Sequence, residues 1–230
     1  MKAMILAAGR GERMRPLTDT APKPMLMAGG KPLIQYHIEN LVAAGFEYIV
    51  INTAWLGQQL EGFLGDGSAW GCHIVWSHEE QALETAGGIA RALPLLGEEP
   101  FALVNGDIWS DYPLVRLRRL ELMVGATACL VMVDNPPQHP QGDFLLRGDG
   151  LLTPRPDDDP AVPQAFTYSG IAVFSPQFFA GTSDDKLALR PLLDRSMQAE
   201  TLQWEYYDGR WCDVGTPERL AELDATLAMP

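Results

Sequence analysis

Short apolar runs and amphipathic segments alternate along the first half of the chain. The apolar runs have the composition of buried strands, and they read KAMILAAG, YIVINT, CHIVWS and FALVNGD. The segments between them place apolar residues at helical spacing, and they read PLIQYHIENLVAAG, LGQQLEGFLGDG and TAGGIARALPLL. This alternation predicts an α/β fold with three αβα layers and a mostly parallel central sheet, with ligands beyond the carboxyl ends of the strands.

The second half of the chain is richer in turns. Strands are predicted for ATACLVMVD and TYSGIAVFS, and hairpins for FLLRGDGLLTP and LQWEYYDGRWCDVG. The second hairpin would turn at Asp208-Gly209. TPERLAELDATLA predicts a final helix with Thr216 as its N-cap. We therefore expect one domain over residues 1–230, with residues 1–110 mainly binding a nucleotide and 111–230 mainly binding a second substrate.

Charge and cysteine content exclude several classes of protein. The net charge of −13 argues against nucleic-acid partners, which usually require a broad basic face. The three cysteines form no C-x-x-C pair, so we expect reduced thiols and a cytoplasmic protein. No leader precedes Met4, and no apolar run approaches the ~20 residues that cross a bilayer, so no membrane partner is expected.

Basic residues cluster in LAAGRGERMRPLTDTAPKPM, residues 6–25, although the chain is acidic. Arg10, Arg13, Arg15 and Lys23 flank small-residue loops that allow close backbone approach to a ligand. The segment is not a P-loop, and Gly9-x-Gly11 lacks the third glycine of a dinucleotide-binding motif. The pattern indicates an anion site of another kind.

This stretch resembles the signature of the sugar-1-phosphate nucleotidyltransferases, which has a strand, then L-A-G/A-G-x-G-x-R-x-x-P-L-T, then P-K-P. The similarity continues in order through GGKPLIQYHIENL, LETAGGIARAL, VNGDIW, TYSGIAVFSP and WCDVGTPERLAE. It covers essentially the whole chain. The resemblance implies the Rossmann-like nucleotide-diphospho-sugar transferase fold.

The resemblance also implies a reaction. A sugar 1-phosphate would attack the α-phosphorus of a nucleoside triphosphate and release pyrophosphate. We expect UTP as donor and N-acetylmuramic acid 1-phosphate as acceptor, in peptidoglycan recycling. Guanylyl transfer to mannose 1-phosphate and thymidylyl or uridylyl transfer to glucose 1-phosphate remain alternatives. Outside this class of enzymes, a non-catalytic nucleotide-sensing module remains an alternative function. The sequence leaves the oligomeric state open.

Site residues follow from the matched motifs. By resemblance, Arg13 would hold the β- and γ-phosphates, and Lys23 would stabilise charge on the α-phosphate. Asp107 and Asp213 would hold Mg²⁺, which favours oxygen ligands. The remaining nucleotide contacts are expected from Leu6, Ala7, Ala8, Gly9, Gly11, Thr85 and Gly106.

Base and sugar selection are assigned less directly. Glu80 precedes the T-A-G helix where relatives read the base, and its carboxylate would accept the N3–H of uracil. Glu84 stands where many relatives carry glycine. The sugar is expected to contact Asn105, Tyr168, Ser169 and Gly170. Arg155 or Lys186 would grip the sugar phosphate, whereas Asp157 to Asp159 are expected to be solvated loop charges.

Overall fold

A seven-stranded sheet forms the centre of the molecule, in a computed structural model that describes residues 1–155 and 165–228. Asp157 to Asp159 lie outside the described residues. The strands are β1 (Ala3–Leu6), β2 (Met27–Ala28), β3 (Lys31–Pro32), β4 (Tyr48–Thr53), β5 (His73–His78), β6 (Phe101–Asn105), β7 (Ile108–Ser110), β8 (Ala128–Val133), β9 (Phe144–Leu146), β10 (Leu152–Pro154), β11 (Thr167–Phe174), β12 (Leu202–Tyr206) and β13 (Trp211–Asp213). The order in the central sheet is β12-β8-β11-β6-β1-β4-β5.

Strand direction confirms the predicted α/β class. The β1 strand pairs in parallel with β4 and β6, and β4 in parallel with β5. Among the described strands of the central sheet, only β11 runs against its neighbours, since it is antiparallel to both β6 and β8, whereas β12 is parallel to β8. The carboxyl ends of β1, β4, β5 and β6 therefore meet at one edge of the sheet, where ligands bind in open α/β sheets.

Helices cover both faces of the sheet. They are α1 (Leu33–Ala43), α2 (Gly57–Leu64), α3 (Glu84–Leu96), α4 (Val115–Arg119), α5 (Arg190–Gln198) and α6 (Pro217–Leu227). Alternate residues of β1 enter different cores: Ala3 and Ile5 belong to the core under α1 and α2, and Met4 to the core under α3 and α5. This alternation follows from the two-residue period of a strand and explains the continuous apolar runs.

The turn predictions in the second half had different outcomes. The first hairpin is confirmed, because β9 and β10 pair antiparallel on either side of residues 148–150. The second is wrong, because β12 joins β8 in the central sheet whereas β13 pairs with β7 in a separate ribbon. The Asp208-Gly209 segment therefore carries the chain from one sheet to another. The predicted N-cap is confirmed, since the Thr216 hydroxyl accepts from the Arg219 N–H at 3.4 Å.

No helix among residues 1–155 and 165–228 combines the length and apolar character needed to cross a bilayer. The three cysteines have free thiols. Burial raises the pKa of the Cys129 thiol to about 12, so this thiol remains protonated near neutral pH.

An aromatic cluster supports the face of the sheet covered by α3 and α5. Phe174 is fully buried, and its ring centroid lies 6.3 Å from Phe101, 4.8 Å from Phe178 and 5.4 Å from Phe179. Phe174→Ala should lower the free energy of unfolding by about 3–5 kcal/mol, because the cavity it leaves is closed by strands that cannot collapse. Urea denaturation followed by circular dichroism measures this loss. Val124→Ala, at a fully exposed position, serves as the control and should change stability by less than about 0.5 kcal/mol; equal losses in both variants would contradict this account of the core.

Candidate active site

Two adjoining cavities open at the carboxyl edge of the sheet. The first, of about 190 Å³ and here termed the N-side cavity, is lined by Leu6, Ala7, Ala8, Gly9, Lys23, Pro24, Asn52, Glu79, Ala82, Glu84, Thr85, Asn105 and Asp107. The second, of about 200 Å³ and here termed the C-side cavity, is lined by Asn105, Asp107, Ile108, Pro136, Gln138, His139, Thr167, Tyr168, Ser169, Gly170, Trp211 and Asp213. Asn105 and Asp107 line both, so the cavities meet at the end of β6.

A buried hydrogen-bond network forms the floor of the N-side cavity. The Asn52 side-chain oxygen accepts from the Ala7 N–H at 2.8 Å, and its Nδ2 donates to Glu79 Oε1 at 2.7 Å. Glu79 Oε2 accepts from the Leu83 N–H at 2.9 Å. A Cβ at Gly88 would lie 2.6 Å from Glu79 Oε1, so only glycine there admits the buried carboxylate. The network fixes the glycine-rich loop after β1 to the end of β4.

Pairing of β7 with β13 brings the two predicted metal ligands to one place. Asp213 lies opposite Ile108 in this antiparallel ribbon, and the Val214 N–H donates to the Asp107 carbonyl oxygen at 3.0 Å. Residues separated by more than a hundred positions in the sequence are thereby held as neighbours. Both carboxylates face the C-side cavity.

Each of these carboxylates is paired with a basic side chain. Lys23 Nζ lies 2.7 Å from Asp107 Oδ2, and Arg219 Nη1 lies 2.5 Å from Asp213 Oδ2. The lysine and arginine side chains are only 8% and 15% exposed, whereas the aspartates are 40% and 31% exposed. The cations therefore approach from the protein side and leave part of each carboxylate open to the cavities.

The donor set suits Mg²⁺. No group of three or more His, Cys, Asp or Glu side chains with metal-binding geometry occurs in the part of the chain that the structure describes. Mg²⁺ is commonly held by one or two carboxylates, with substrate phosphates and water completing the shell. Asp107 and Asp213 provide such a pair beside a cavity that can admit phosphate oxygens.

The C-side cavity is shaped by an irregularity in β11. The pairing register with β8 shifts between Tyr168 and Ala172, and Gly170 within this stretch has a φ of +81°. A Cβ on Gly170 would lie 2.7 Å from Asn105 Nδ2, so the glycine allows Asn105 to enter the cavity wall. The Tyr168 hydroxyl and Asn105 Oδ1 are buried without a hydrogen-bond partner among the described residues. Such buried polar atoms are candidates for contacts with a polar ligand.

Most predicted site residues lie at the two cavities. Of the predicted residues, the N-side cavity contains Leu6, Ala7, Ala8, Gly9, Lys23 and Thr85, the C-side cavity contains Tyr168, Ser169, Gly170 and Asp213, and both contain Asn105 and Asp107. Gly106 stands behind this junction, where its N–H donates to the Leu6 carbonyl at 2.8 Å. Gly11 has a φ of +67° and turns the chain into a short helical turn, outside the cavity linings.

The basic cluster of the amino-terminal loop is not brought together as expected. Lys23 is buried at the cavity junction, whereas Arg13 is exposed on the turn Glu12–Met14. The guanidinium of Arg10 stacks on the Trp55 ring, 3.4 Å from its centroid, and Arg15 pairs with a neighbouring aspartate. Arg10, Arg15 and Lys23 therefore each have a different partner.

Glu80 does not line the N-side cavity. Residues 77–80 alternate between buried and exposed, so Glu79 enters the cavity and Glu80 faces solvent. A contact of Glu80 with a base stays a prediction, and Glu79 is the carboxylate of this segment that lines the cavity.

The two candidates for the sugar phosphate also lie elsewhere. Arg155 is hydrogen-bonded to Gln141 at 3.2 Å and does not line the C-side cavity. Lys186 lies 3.5 Å from Glu84 Oε1, beside the N-side cavity. Lys186 sits there because the backbone of Leu187 is hydrogen-bonded to Leu83 and to the first turn of α3.

Several lining residues were missed by sequence reasoning. Asn52 is a polar residue near the carboxyl end of a buried strand. Ligands bind at that edge of an open α/β sheet, so the sequence could have indicated Asn52 as a lining residue. Trp211, whose indole N–H donates to the Ser169 carbonyl at 2.8 Å, gave no comparable signal. Its role depends on the β7–β13 ribbon, which sequence periodicity did not predict.

Comparison with known proteins assigns the chain to a family. A family model described as nucleotidyl transferase matches residues 2–229. The chain belongs to the nucleotidyl transferase family. This nucleotidyl transferase is 48% identical to the N-acetylmuramate alpha-1-phosphate uridylyltransferase of Neisseria meningitidis serogroup B, over 98% of this chain and 97% of that protein. It is 34% identical to the protein of the same name from Caulobacter vibrioides, over 98% and 96% of the two chains.

Solved structures support the fold of this nucleotidyl transferase. A Bacillus anthracis protein described as a glucose-1-phosphate thymidylyltransferase superposes with a TM-score of 0.84 over 100% of this chain and 96% of that one, at 18% identity. At this identity the likeness shows the fold alone.

A buried histidine on α1 should make the free energy of unfolding depend on pH. His37 is 5% exposed, and burial lowers the pKa of its imidazole to about 4, although the charge of Asp107 and the Ile108 backbone oppose this shift. In the unfolded chain the imidazole titrates near 6.5. The unfolded state therefore binds more protons between these values, and stability falls as the pH drops from about 6.5 to about 4.

Urea unfolding of the wild type and of His37→Leu at about pH 7 and about pH 5 measures this effect. Between about pH 7 and about pH 5, the free energy of unfolding of the wild type should fall by about 2 kcal/mol more than that of the variant. Parallel pH profiles for the two proteins would show that His37 is not the responsible group.

Proposed function

We propose that this chain transfers a uridylyl group from UTP to N-acetylmuramic acid 1-phosphate, giving the UDP-sugar and pyrophosphate. The observation that supports this proposal most directly is that two cavities meet at Asn105 and Asp107. One cavity lies beside the glycine-rich loop and the other beside the β11 bulge. Two cavities with a shared wall suit a transfer between two substrates. The choice of UTP and of the muramic acid sugar is supported by the two relatives described above.

The proposed reaction is an in-line displacement at phosphorus. An oxygen of the sugar phosphate forms a bond to the α-phosphorus of UTP, the bond from this phosphorus to the α–β bridging oxygen breaks, and pyrophosphate leaves with that electron pair. Such a reaction needs positioning and charge stabilisation more than a covalent catalyst. The nucleoside and α-phosphate would occupy the N-side cavity and the sugar phosphate the C-side cavity, which places the reacting atoms near Asp107.

Lys23 is the proposed stabiliser of charge on the α-phosphate. Its side chain is 8% exposed and its ammonium reaches the cavity junction from the protein side. A fixed cation in a partly dry site stabilises developing charge without reorganisation of solvent. Arg13 is exposed on the same loop, so it would contact the β- and γ-phosphates where they extend from the N-side cavity.

Mg²⁺ is the proposed cofactor, and Asp107 and Asp213 would hold it. When bound, the ion supplies neutralisation of phosphate charge at the junction. Lys23 and Arg219 each contact one oxygen of these carboxylates from the protein side. The part of each carboxylate that is open to the cavities would serve as the oxygen ligand.

The acceptor sugar would bind in the C-side cavity. The buried hydroxyl of Tyr168 and the side-chain oxygen of Asn105 have no partner among the described residues and can pair with sugar hydroxyls or an acetamido group. Ser169 and Gly170 line the same wall. A contact of Arg155 or Lys186 with the sugar phosphate would require either side chain to move from its present partner. A reaction that consumes UTP and serves peptidoglycan recycling would take place in the cytoplasm.

Pyrophosphate release tests the proposed function. Purified protein with Mg²⁺ is mixed with UTP, CTP, GTP or dTTP and with N-acetylmuramic acid 1-phosphate, mannose 1-phosphate or glucose 1-phosphate. The expected result is release with UTP and the muramic acid sugar at least about tenfold faster than with other pairs, as a missing specific contact costs at least that factor. Faster release with GTP and mannose 1-phosphate would contradict the substrate assignment, and no release with any pair would favour a nucleotide-sensing module.

Replacement of the paired aspartates tests the metal assignment. Asp107→Ala and Asp213→Ala should each lower turnover by about 100-fold or more, because each removes a ligand that positions charge at the junction. Circular dichroism should show an unchanged fold. Asp194→Ala provides a matched control, because this aspartate pairs with Arg190 on the surface of α5. Near-normal turnover in either of the two test variants would contradict the assignment.

A further inference from the structure

Glu84 has an unusual backbone conformation. Its φ is +60°, and Leu56 and Glu200 are the other non-glycine residues with positive φ among the described residues. This left-handed conformation is unfavourable for residues with a Cβ, and glycine adopts it freely. It accounts for the glycine that many relatives carry at this position, and it raises the question of what the glutamate contributes here.

The conformation is imposed by packing around the start of α3. The Leu187 carbonyl accepts from the N–H groups of Ala86 and Gly87 at 2.9 and 3.1 Å, and the Leu187 N–H donates to the Leu83 carbonyl at 2.9 Å. A Cβ on Gly87 would lie 2.1 Å from the Asp185 carbonyl oxygen, so the two segments are in close contact. The backbone at Glu84 therefore cannot relax to a conformation that suits its side chain.

Among the described residues, the Glu84 side chain gains little from its own contacts. The nearest cation to Glu84 is Lys186, at 3.5 Å, and the two side chains are 46% and 70% exposed. Exposed ion pairs of this kind contribute little to stability. Strained residues that are held in place by their surroundings are concentrated at ligand sites, and Glu84 lines the N-side cavity.

Glu84 also carries the carboxylate of this cavity that is most available to a ligand. Both oxygens of Glu79 already accept hydrogen bonds, from Asn52 and from the Leu83 N–H. Glu80 is exposed and outside the cavity lining. Asp107 is paired with Lys23, and it lies where the N-side cavity meets the C-side cavity.

We propose that Glu84 is a specificity-determining residue whose carboxylate accepts a hydrogen bond from the nucleoside of the bound nucleotide. The proposal rests on the proposed function, because it assumes a uridine nucleotide in the N-side cavity. Three groups of the nucleoside can donate, namely the imide N–H of the base and the 2′- and 3′-hydroxyls of the ribose. Cytosine presents a lone pair in place of the imide N–H and would be repelled by a carboxylate.

Nucleotide binding by Glu84→Gly tests the proposal, with Glu200→Gly as matched control. Glu200 has a φ of +54°, is exposed, and pairs with Arg147 at 2.6 Å, so it shares both the strain and the surface ion pair but lies outside the cavities. Calorimetric titration with UTP and Mg²⁺, without sugar phosphate, should give a Kd about tenfold or more above wild type for Glu84→Gly, the usual effect of losing a hydrogen bond to a charged group.

Thermal unfolding of the same variants completes the test. Glu84→Gly and Glu200→Gly should each have a Tm equal to or above that of the wild type because both relieve strain, whereas the Kd of Glu200→Gly should stay within about twofold of wild type, as for other surface substitutions. Glu84→Gln retains the strain and removes the charge, and it should also weaken UTP binding. It serves as the test if the glycine variant does not fold.

Other nucleotides identify the donor. If the imide N–H donates, the wild type prefers UTP to CTP, and Glu84→Gly narrows that preference. If a ribose hydroxyl donates, the 2′-deoxy or the 3′-deoxy analogue of UTP, whichever lacks that hydroxyl, binds the wild type about as weakly as UTP binds the variant. Wild-type affinity for UTP in both Glu84 variants would overturn the proposal. Failure of the proposed function is separate, since the wild type would then release no pyrophosphate from UTP with any sugar phosphate.

Discussion

The pairing of β7 with β13 is the constraint on which the site depends. Its last hydrogen bond, from the Val214 N–H to the Asp107 carbonyl, holds the end of β6 against a segment that arrives after the whole second half of the chain. Without this ribbon, Asp213 would have no fixed relation to Asp107, and the C-side cavity would lose the wall formed by Trp211 and Asp213. The sheet and its helices position the glycine-rich loop, and the ribbon adds the wall of the second cavity.

Charge at this junction is balanced within an acidic chain. A net charge of −13 is unfavourable for binding two phosphorylated substrates, so cations must offset the carboxylates where the substrates meet. Lys23 and Arg219 each pair with one of the two aspartates from the protein side, and they leave the carboxylates partly open. A divalent ion and phosphate oxygens can then approach from the cavity side. Binding of anions thus depends on the arrangement of a few charges and not on the overall charge.

Sequence patterns predicted the elements better than their pairing. The alternation of strands and helices was sufficient for the α/β class because each apolar run matches the burial of a central strand. The predicted hairpin over residues 202–215 failed because local turn chemistry at Asp208-Gly209 does not determine which distant strand each arm joins. The motif resemblance indicated most of the cavity residues. It did not indicate Glu79, which lines the N-side cavity beside the exposed Glu80, since neighbouring residues of an extended chain face opposite sides. The strain at Glu84 depends on tertiary packing and was visible only in the structure.

The central claim is that Asp107 and Asp213 act together on one divalent ion at the junction of the two cavities. A double-mutant cycle of metal affinity tests it most directly, with Mn²⁺ titrated into the UTP-bound wild type, Asp107→Asn, Asp213→Asn and the double variant. Shared coordination predicts strong coupling, such that the double variant binds Mn²⁺ no more than about twofold weaker than the weaker single variant. Wild-type affinity for Mn²⁺ in either single variant would contradict the account, because it would place that carboxylate outside the coordination of the ion.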